Sequence, residues 1–129
     1  ERRKNNWKRL HKALESVSDR LILPEPAVNS DPSWFGFLIS VKPESGIERN
    51  KVTRFIEDHN VQTRLLFSGN LIKHPCFDQI RGTDAYRVVG DLNQTEFIMN
   101  QTFWVGVYPG MTDEMIDCMA EVILQAVDQ

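Results

Sequence analysis

The chain predicts an α+β two-layer sandwich, in which a small three-stranded sheet is covered on one face by helices. Three observations lead there. Apolar residues recur at helical spacing in a segment near each end of the chain. Short runs rich in β-branched and aromatic residues lie between them, bounded by Pro, Gly or Asn. The two kinds follow one another as helix, strand, helix, strand, loop with a short helix, strand, helix. At 129 residues, 41% apolar and 26% charged, the chain can bury one core, which makes it a single globular domain. No apolar run approaches the ~20 residues that a membrane helix needs.

The first helix rests on Trp7, Leu10, Leu14, Val17 and Leu21, whose 3-4-3-4 spacing puts them on one stripe, and it is expected to end before Leu23-Pro24-Glu25-Pro26. The run SWFGFLISV at 33–41 is the strongest strand. Ser45-Gly46-Ile47-Glu48 matches a capping box for the second helix, with Ile47, Val52, Phe55 and Ile56 as its apolar face through about His59. QTRLLFSGNLIKHPCF at 62–77 begins like a buried strand and breaks at Ser68-Gly69-Asn70 into an irregular loop through residue 82. Asn93-Gln94-Thr95-Glu96 matches a second capping box, over Phe97 and Ile98. TFWVGV at 102–107 is the third strand. Thr112 is the expected N-cap of the last helix, with Asp113 and Glu114 complementing its dipole and Met115, Ile116, Met119, Val122, Ile123 and Ala126 at helical spacing. Cys118 is placed on the apolar side of that helix as a small core residue.

Charge is distributed unevenly. Residues 1–20 carry a formal +4 and the remainder −7. A Lys/Arg stripe is the footprint of phosphate recognition, but here it reads as a solvated helix face, since the chain is acidic overall and the aromatics beside it are of buried type. Cys76 and Cys118 lie far apart, and His11, His59 and His74 fall on different elements, so no metal site is expected. Two cysteines of this kind suit a reducing cytoplasm. No glycine-rich phosphate motif, HExxH pair or nucleophile elbow is present, so no catalytic constellation is predicted. The chain opens on ERRKNNW without a starting methionine, which reads as a cut inside a longer protein.

What remains is Arg64, a permanent cation in a strand that runs into Ser68-Gly69-Asn70. On the residues alone it is either a surface arginine of an edge strand or a fixed fork for an anion or hydroxylated ligand.

SWFGF from Ser33, TRLLFSGNL from Thr63, YRVVGDL from Tyr86 and FWVGVYPG from Phe103, in this order and spacing, resemble the C-terminal part of the CDP-4-keto-6-deoxyglucose-3-dehydratases of lipopolysaccharide dideoxysugar formation. The resemblance covers nearly the whole chain. It implies the small domain of a fold type I pyridoxal-phosphate enzyme, with a mainly antiparallel sheet over residues 1–129 and residues 1–22 as the end of the helix from a missing large domain. It implies that Arg64 faces the substrate in the cleft between domains, with Ser68, Asn70 and His74 near the sugar. Pyridoxamine or pyridoxal phosphate, an iron-sulfur cluster held by four cysteines and the cofactor-proximal catalytic residue would all belong to the large domain, so this chain alone is expected to be inactive and to bind no cofactor. The resemblance further implies a CDP-sugar substrate, a reductase partner, a homodimer of the full-length enzyme, a cytoplasmic location, and neither nucleic acid nor membrane as a partner. A nucleotide-sugar aminotransferase, or a dehydratase of another nucleotide sugar, shares the fold. A stand-alone module binding through its basic helix is the rival of a different class.

Overall fold

The computed structural model describes residues 1–129. Its elements are α1 (Arg2–Leu14), β1 (Leu21–Ile22), β2 (Gly36–Val41), α2 (Arg49–Asp58), β3 (Thr63–Leu65), α3 (Asn93–Gln101), β4 (Thr102–Gly106) and α4 (Asp113–Val127). The strands form one sheet in the order β1-β2-β4-β3, and every neighbouring pair is antiparallel. The α+β two-layer class is as expected. The sheet has four strands rather than three, because the first helix is shorter than its stripe suggested.

That stripe is buried at Leu10, Leu14, Val17 and Leu21, but the α-helix stops at Leu14. Glu15–Val17 tightens into a 3₁₀ turn, and the short polar and β-branched residues Ser16, Val17, Ser18 and Asp19 are poor at continuing a helix. Leu21 keeps its place in the core as part of β1, opposite Val41.

Strand alternation decides which face is buried. Phe37, Ile39 and Val41 of β2 join Phe103 and Val105 of β4 beneath Leu10 and Leu14 of α1, Val52 and Ile56 of α2, and Ile116, Met119, Ala120 and Ile123 of α4. The intervening residues point the other way. Charged side chains tie α1 to α4 around this core. Arg9 makes a two-pronged pair with Asp117, 2.7 Å on each arm, and reaches Asp113 at 2.9 Å. Arg2 joins Asp113 at 2.7 Å, and Arg20 donates to the Val127 carbonyl and to Asp128 at the C-terminus of α4, where a cation suits the helix dipole. The basic residues thus do not all face free solvent, as the stripe implied.

Several local expectations are corrected. Ser45 closes a 3₁₀ turn at Pro43–Ser45, Gly46 takes φ +72°, and α2 begins only at Arg49, so Ser45 accepts from the Ile47 amide and caps no helix. At α3 the expected cap Asn93 is already helical. Asp91 accepts from its backbone N–H at 3.0 Å instead, with Leu92 left-handed between them. Thr112 does cap α4, accepting from the Met115 amide at 3.3 Å. On α4 Cys118 and Met115 lie on the exposed side, because the buried stripe runs through residues 116, 119, 120 and 123. The 62–77 strand is short and mostly exposed: only Thr63 of β3 is buried. The following segment is more regular than expected, with 3₁₀ turns at Leu71–Lys73 and Pro75–Ile80.

Leu14 is fully buried in the core between the helices and the sheet, so Leu14→Ala should lower unfolding free energy by about 2–5 kcal/mol, measured by urea denaturation. The Arg9 guanidinium holds the Asp117 carboxyl below its usual range. A carboxyl depressed in the folded state stabilises above its unfolded value, near 3.9, and that contribution is lost as pH falls through the folded value. The fall in Tm between pH 5 and pH 2 should therefore be shallower in Asp117→Asn than in the parent, read by thermal melts across that range.

Candidate functional site

The uncovered face of the sheet is built by the residues that alternate with the core. Leu38 of β2, Trp104 of β4 and Arg64 of β3 stand in one row, since Trp104 pairs with both of the others across the ladder. Trp104 leans over Gly36, where a Cβ would come within 2.9 Å of its ring, so the glycine is what lets the indole lie flat. Phe35 meets the same indole edge-on, with centroids 5.4 Å apart. Around them Trp34, Leu66 and Phe67 enclose a concavity of about 400 Å³. Phe35 and Phe67 are 60% and 78% exposed, an unusual concentration of bare aromatic surface.

The four residues assigned to substrate are distributed unequally around this concavity. Arg64 is exposed on the edge strand, and its guanidinium curls back to donate to the carbonyl of Thr63 at 2.9 Å. There it borders a polar groove of about 380 Å³ with Glu57, Asn60 and Gln62, outside the concavity. No carboxylate pairs with it, so its fork stays available. Ser68 and His74 are brought together: His74 Nε2 donates to the Ser68 carbonyl at 2.5 Å, with Ser68 exposed and His74 half-buried. Asn70 turns inward, 4% exposed, and donates through Nδ2 to Glu96 of α3 at 3.1 Å.

Three contributors escaped sequence reasoning. Trp104 could have been found, because it alternates with the buried Phe103 and Val105 in a strand covered on one side only. In the sequence Glu96 matches the last position of a capping box. In the structure its carboxylate accepts from Asn70, Lys73 and Asn100, and these hydrogen bonds, that of Lys73 foremost, hold its carboxyl below the usual range. Arg49 carries no local signal of its role. It is 9% exposed, with Nη2 donating to the Met99 carbonyl at 3.3 Å and Nη1 to the Thr102 carbonyl at 3.5 Å, and burial lowers its pKa. This cation sits at the C-terminal end of α3, where free carbonyls collect.

The donor set defines what the site can take. An exposed guanidinium, a hydroxyl and an imidazole beside an aromatic-walled hollow suit a ligand with hydroxyl or anionic groups and a flat or apolar part. No cation lines the hollow itself, where Glu25 is the one charged side chain, and Lys73 is engaged by Glu96. A cofactor phosphate therefore does not fit the residues of this chain alone. Nor do three or more His, Cys, Asp or Glu side chains converge as a metal site would need, and both cysteines are free and exposed. No helix is long and apolar enough to cross a membrane.

Asp91→Ala should remove the side chain that starts α3 and cost about 0.5–2 kcal/mol of stability, with the loss of amide protection in hydrogen exchange concentrated at the first turn of α3.

Comparisons with known proteins sharpen this picture. The sequence pattern of the DegT/DnrJ/EryC1/StrS aminotransferase family matches residues 1–124. The chain is 49% identical over 117 residues, 91% of its length, to the lipopolysaccharide biosynthesis protein RfbH of Salmonella typhimurium. It is 44% identical over 125 residues, 97% of its length, to the dTDP-4-dehydro-2,6-dideoxy-D-glucose 3-dehydratase of Saccharopolyspora spinosa. In both cases it spans 26% of the relative, so the chain covers about a quarter of the curated relatives it matches. In structure it superposes on the E. coli GDP-4-keto-6-deoxy-D-mannose-3-dehydratase with bound hydrated pyridoxal phosphate, with a TM-score of 0.73 at 22% identity, over 95% of this chain and 31% of that one.

Proposed function

The chain belongs to the DegT/DnrJ/EryC1/StrS aminotransferase family, and on that premise we propose that it is the C-terminal small domain of a nucleotide-sugar 3-dehydratase, one that removes the C3 hydroxyl of CDP-4-keto-6-deoxyglucose for a lipopolysaccharide 3,6-dideoxysugar. The observation that carries this reading is the exposed, carboxylate-free Arg64 in the same ladder row as Trp104, at the edge of the bare aromatic face. Relatives named as a nucleotide-sugar 3-dehydratase and as a lipopolysaccharide biosynthesis protein support the reaction and its setting.

In this proposal α1 is the end of a connection from a large domain, and the bare face of the sheet borders the cleft between the two. Pyridoxamine phosphate, the iron-sulfur cluster and the residue nearest the cofactor belong to the large domain, whereas this domain recognises substrate and excludes water. Arg64 exchanges its single bond to its neighbour's carbonyl for a bidentate contact with an anionic or hydroxylated group of the nucleotide sugar. Ser68 and His74 offer a hydroxyl and an imidazole to the sugar. The aromatic walls of the concavity remove water from around it, which strengthens each polar contact. The full-length enzyme is cytoplasmic and dimeric and receives electrons from a reductase. Residues 1–129 by themselves are inactive.

The family's own description as aminotransferases favours a second reading, with the same domain recognising a nucleotide sugar destined for transamination. Incubating the full-length enzyme, loaded with pyridoxamine phosphate and supplied with reductant, with CDP-4-keto-6-deoxyglucose separates them. Product lacking the C3 hydroxyl supports the dehydratase, and a 4-amino sugar overturns it. The same assay with dTDP- and GDP-linked sugars tests the base.

Arg64→Ala should leave Tm within about 2 °C of the parent while lowering kcat/KM for the nucleotide sugar about tenfold to a hundredfold, as loss of one charge-assisted contact of roughly 1.5–3 kcal/mol requires. Arg64→Lys should recover only part of this, since an ammonium lacks the planar fork. A large fall in Tm with unchanged kinetics would make Arg64 a structural residue.

A further inference from the structure

We propose that Asn70 and Glu96 form a latch that presents the Ser68–His74 loop to the nucleotide sugar, with Asn70 acting from behind the loop and making no substrate contact itself. This rests on the reading above that the loop faces the sugar. The loop is fastened to α3 on its inner side at Asn70 and Lys73. Asn70 donates to Glu96 Oε2 at 3.1 Å through its side chain and to the Met99 sulfur at 3.3 Å through its backbone N–H. Lys73 donates to Glu96 Oε1 at 2.5 Å. Just before them Gly69 takes φ +61° and lies so close to α3 that a Cβ would stand 2.6 Å from Met99 Cγ. No other residue both tolerates that φ and leaves room for Met99. On the outer side the loop is closed by His74 donating to the Ser68 carbonyl, which leaves the Ser68 hydroxyl exposed and the imidazole half-buried.

The support extends to the sheet. Arg49 fastens the Met99 and Thr102 carbonyls, so the end of α3 is fixed to the start of β4. One carboxylate therefore gathers an amide and an ammonium from the loop onto a helix that is itself anchored to the strand bearing Trp104. Groups held in place before binding lose less freedom when the ligand arrives, which is how residues that never touch a ligand govern its affinity.

The test uses the full-length enzyme. Asn70→Asp opposes two carboxylates and should open the latch, and adding Glu96→Gln should close it again, since the glutamine amide donates to the new aspartate. With Asn70→Asp, hydrogen exchange at amides 68–74 should quicken tenfold or more and KM for the nucleotide sugar should rise about tenfold, with kcat within threefold of the parent. In the double variant both should return to within about threefold. A merely structural role would not give this paired loss and rescue in KM. Unchanged exchange in Asn70→Asp, or no rescue, overturns the latch. Faster exchange with unchanged KM overturns its link to substrate, and an effect of Arg64→Ala on KM in that case leaves the proposed function standing. If neither Arg64→Ala nor Asn70→Asp moves KM, both readings fall. Should Asn70→Asp not fold, Lys73→Ala decides, because it removes one donor from the surface: exchange faster by about threefold with a matching rise in KM supports the latch, and no change in either overturns it.

Discussion

A strand puts successive side chains on opposite faces, and in β2 and β4 that rule separates the molecule into two surfaces of different purpose. Phe37, Ile39, Val41, Phe103 and Val105 close the core beneath three helices, and the same alternation turns Leu38 and Trp104 to the opposite face, where both are half-buried. Slipping either strand by one residue would exchange the two sets, burying an indole in a space shaped for aliphatic side chains and exposing phenylalanines. The register is therefore held by the core, and the position of the candidate site follows from it. Arg64 enters the same row only because β3 pairs with β4 in register with Trp104.

Electrostatics reinforces the packing. The positive charge of the first twenty residues and the acids of the last helix meet in one seam, where Arg2 and Arg9 share Asp113 and Arg9 grips Asp117. Exposed pairs of this kind contribute little one by one, but they are networked and include a planar two-pronged contact. Asn6 acts between them as a buried polar peg, donating to the carbonyls of Tyr108 and Met111 and so fixing the turn into α4. Much of the basic stretch is thereby directed inward to its own chain, which argues against the stand-alone module binding through that helix.

The larger elements were legible because their signals are periodic and repeated. In the last helix five of the six residues read at helical spacing are buried, and a threonine caps it. The second strand shows an alternation of six residues. Signals carried by one or two residues failed. Ser45 and Asn93 have the right chemistry for caps, but with left-handed backbone at Gly46 the second helix starts beyond Ser45, and with Leu92 left-handed the third starts at Asn93 itself. Cys118 reads as interior when a helix face is assigned from neighbours on both sides, but a 100° step per residue sets it opposite the buried Ile116 and Ala120. Within the site, Arg64 could be singled out as a cation in an apolar run. The Asn70–Glu96 contact joins residues 26 apart and has no local trace, because only the folding of the loop onto α3 creates it.

The strands at the two edges of the sheet are the shortest, two residues in β1 and three in β3. Pro24 and Pro26 follow the first, and Phe67 with φ +43° follows the second, so neither edge offers a long row of free backbone donors and acceptors to an incoming strand. Edges this short and broken disfavour growth of the sheet in its own plane. Any neighbour, whether another part of the same polypeptide or a second molecule, must meet this fold through side chains on its faces and loops, and its selectivity will be written in shape and charge rather than in the uniform pattern of the backbone.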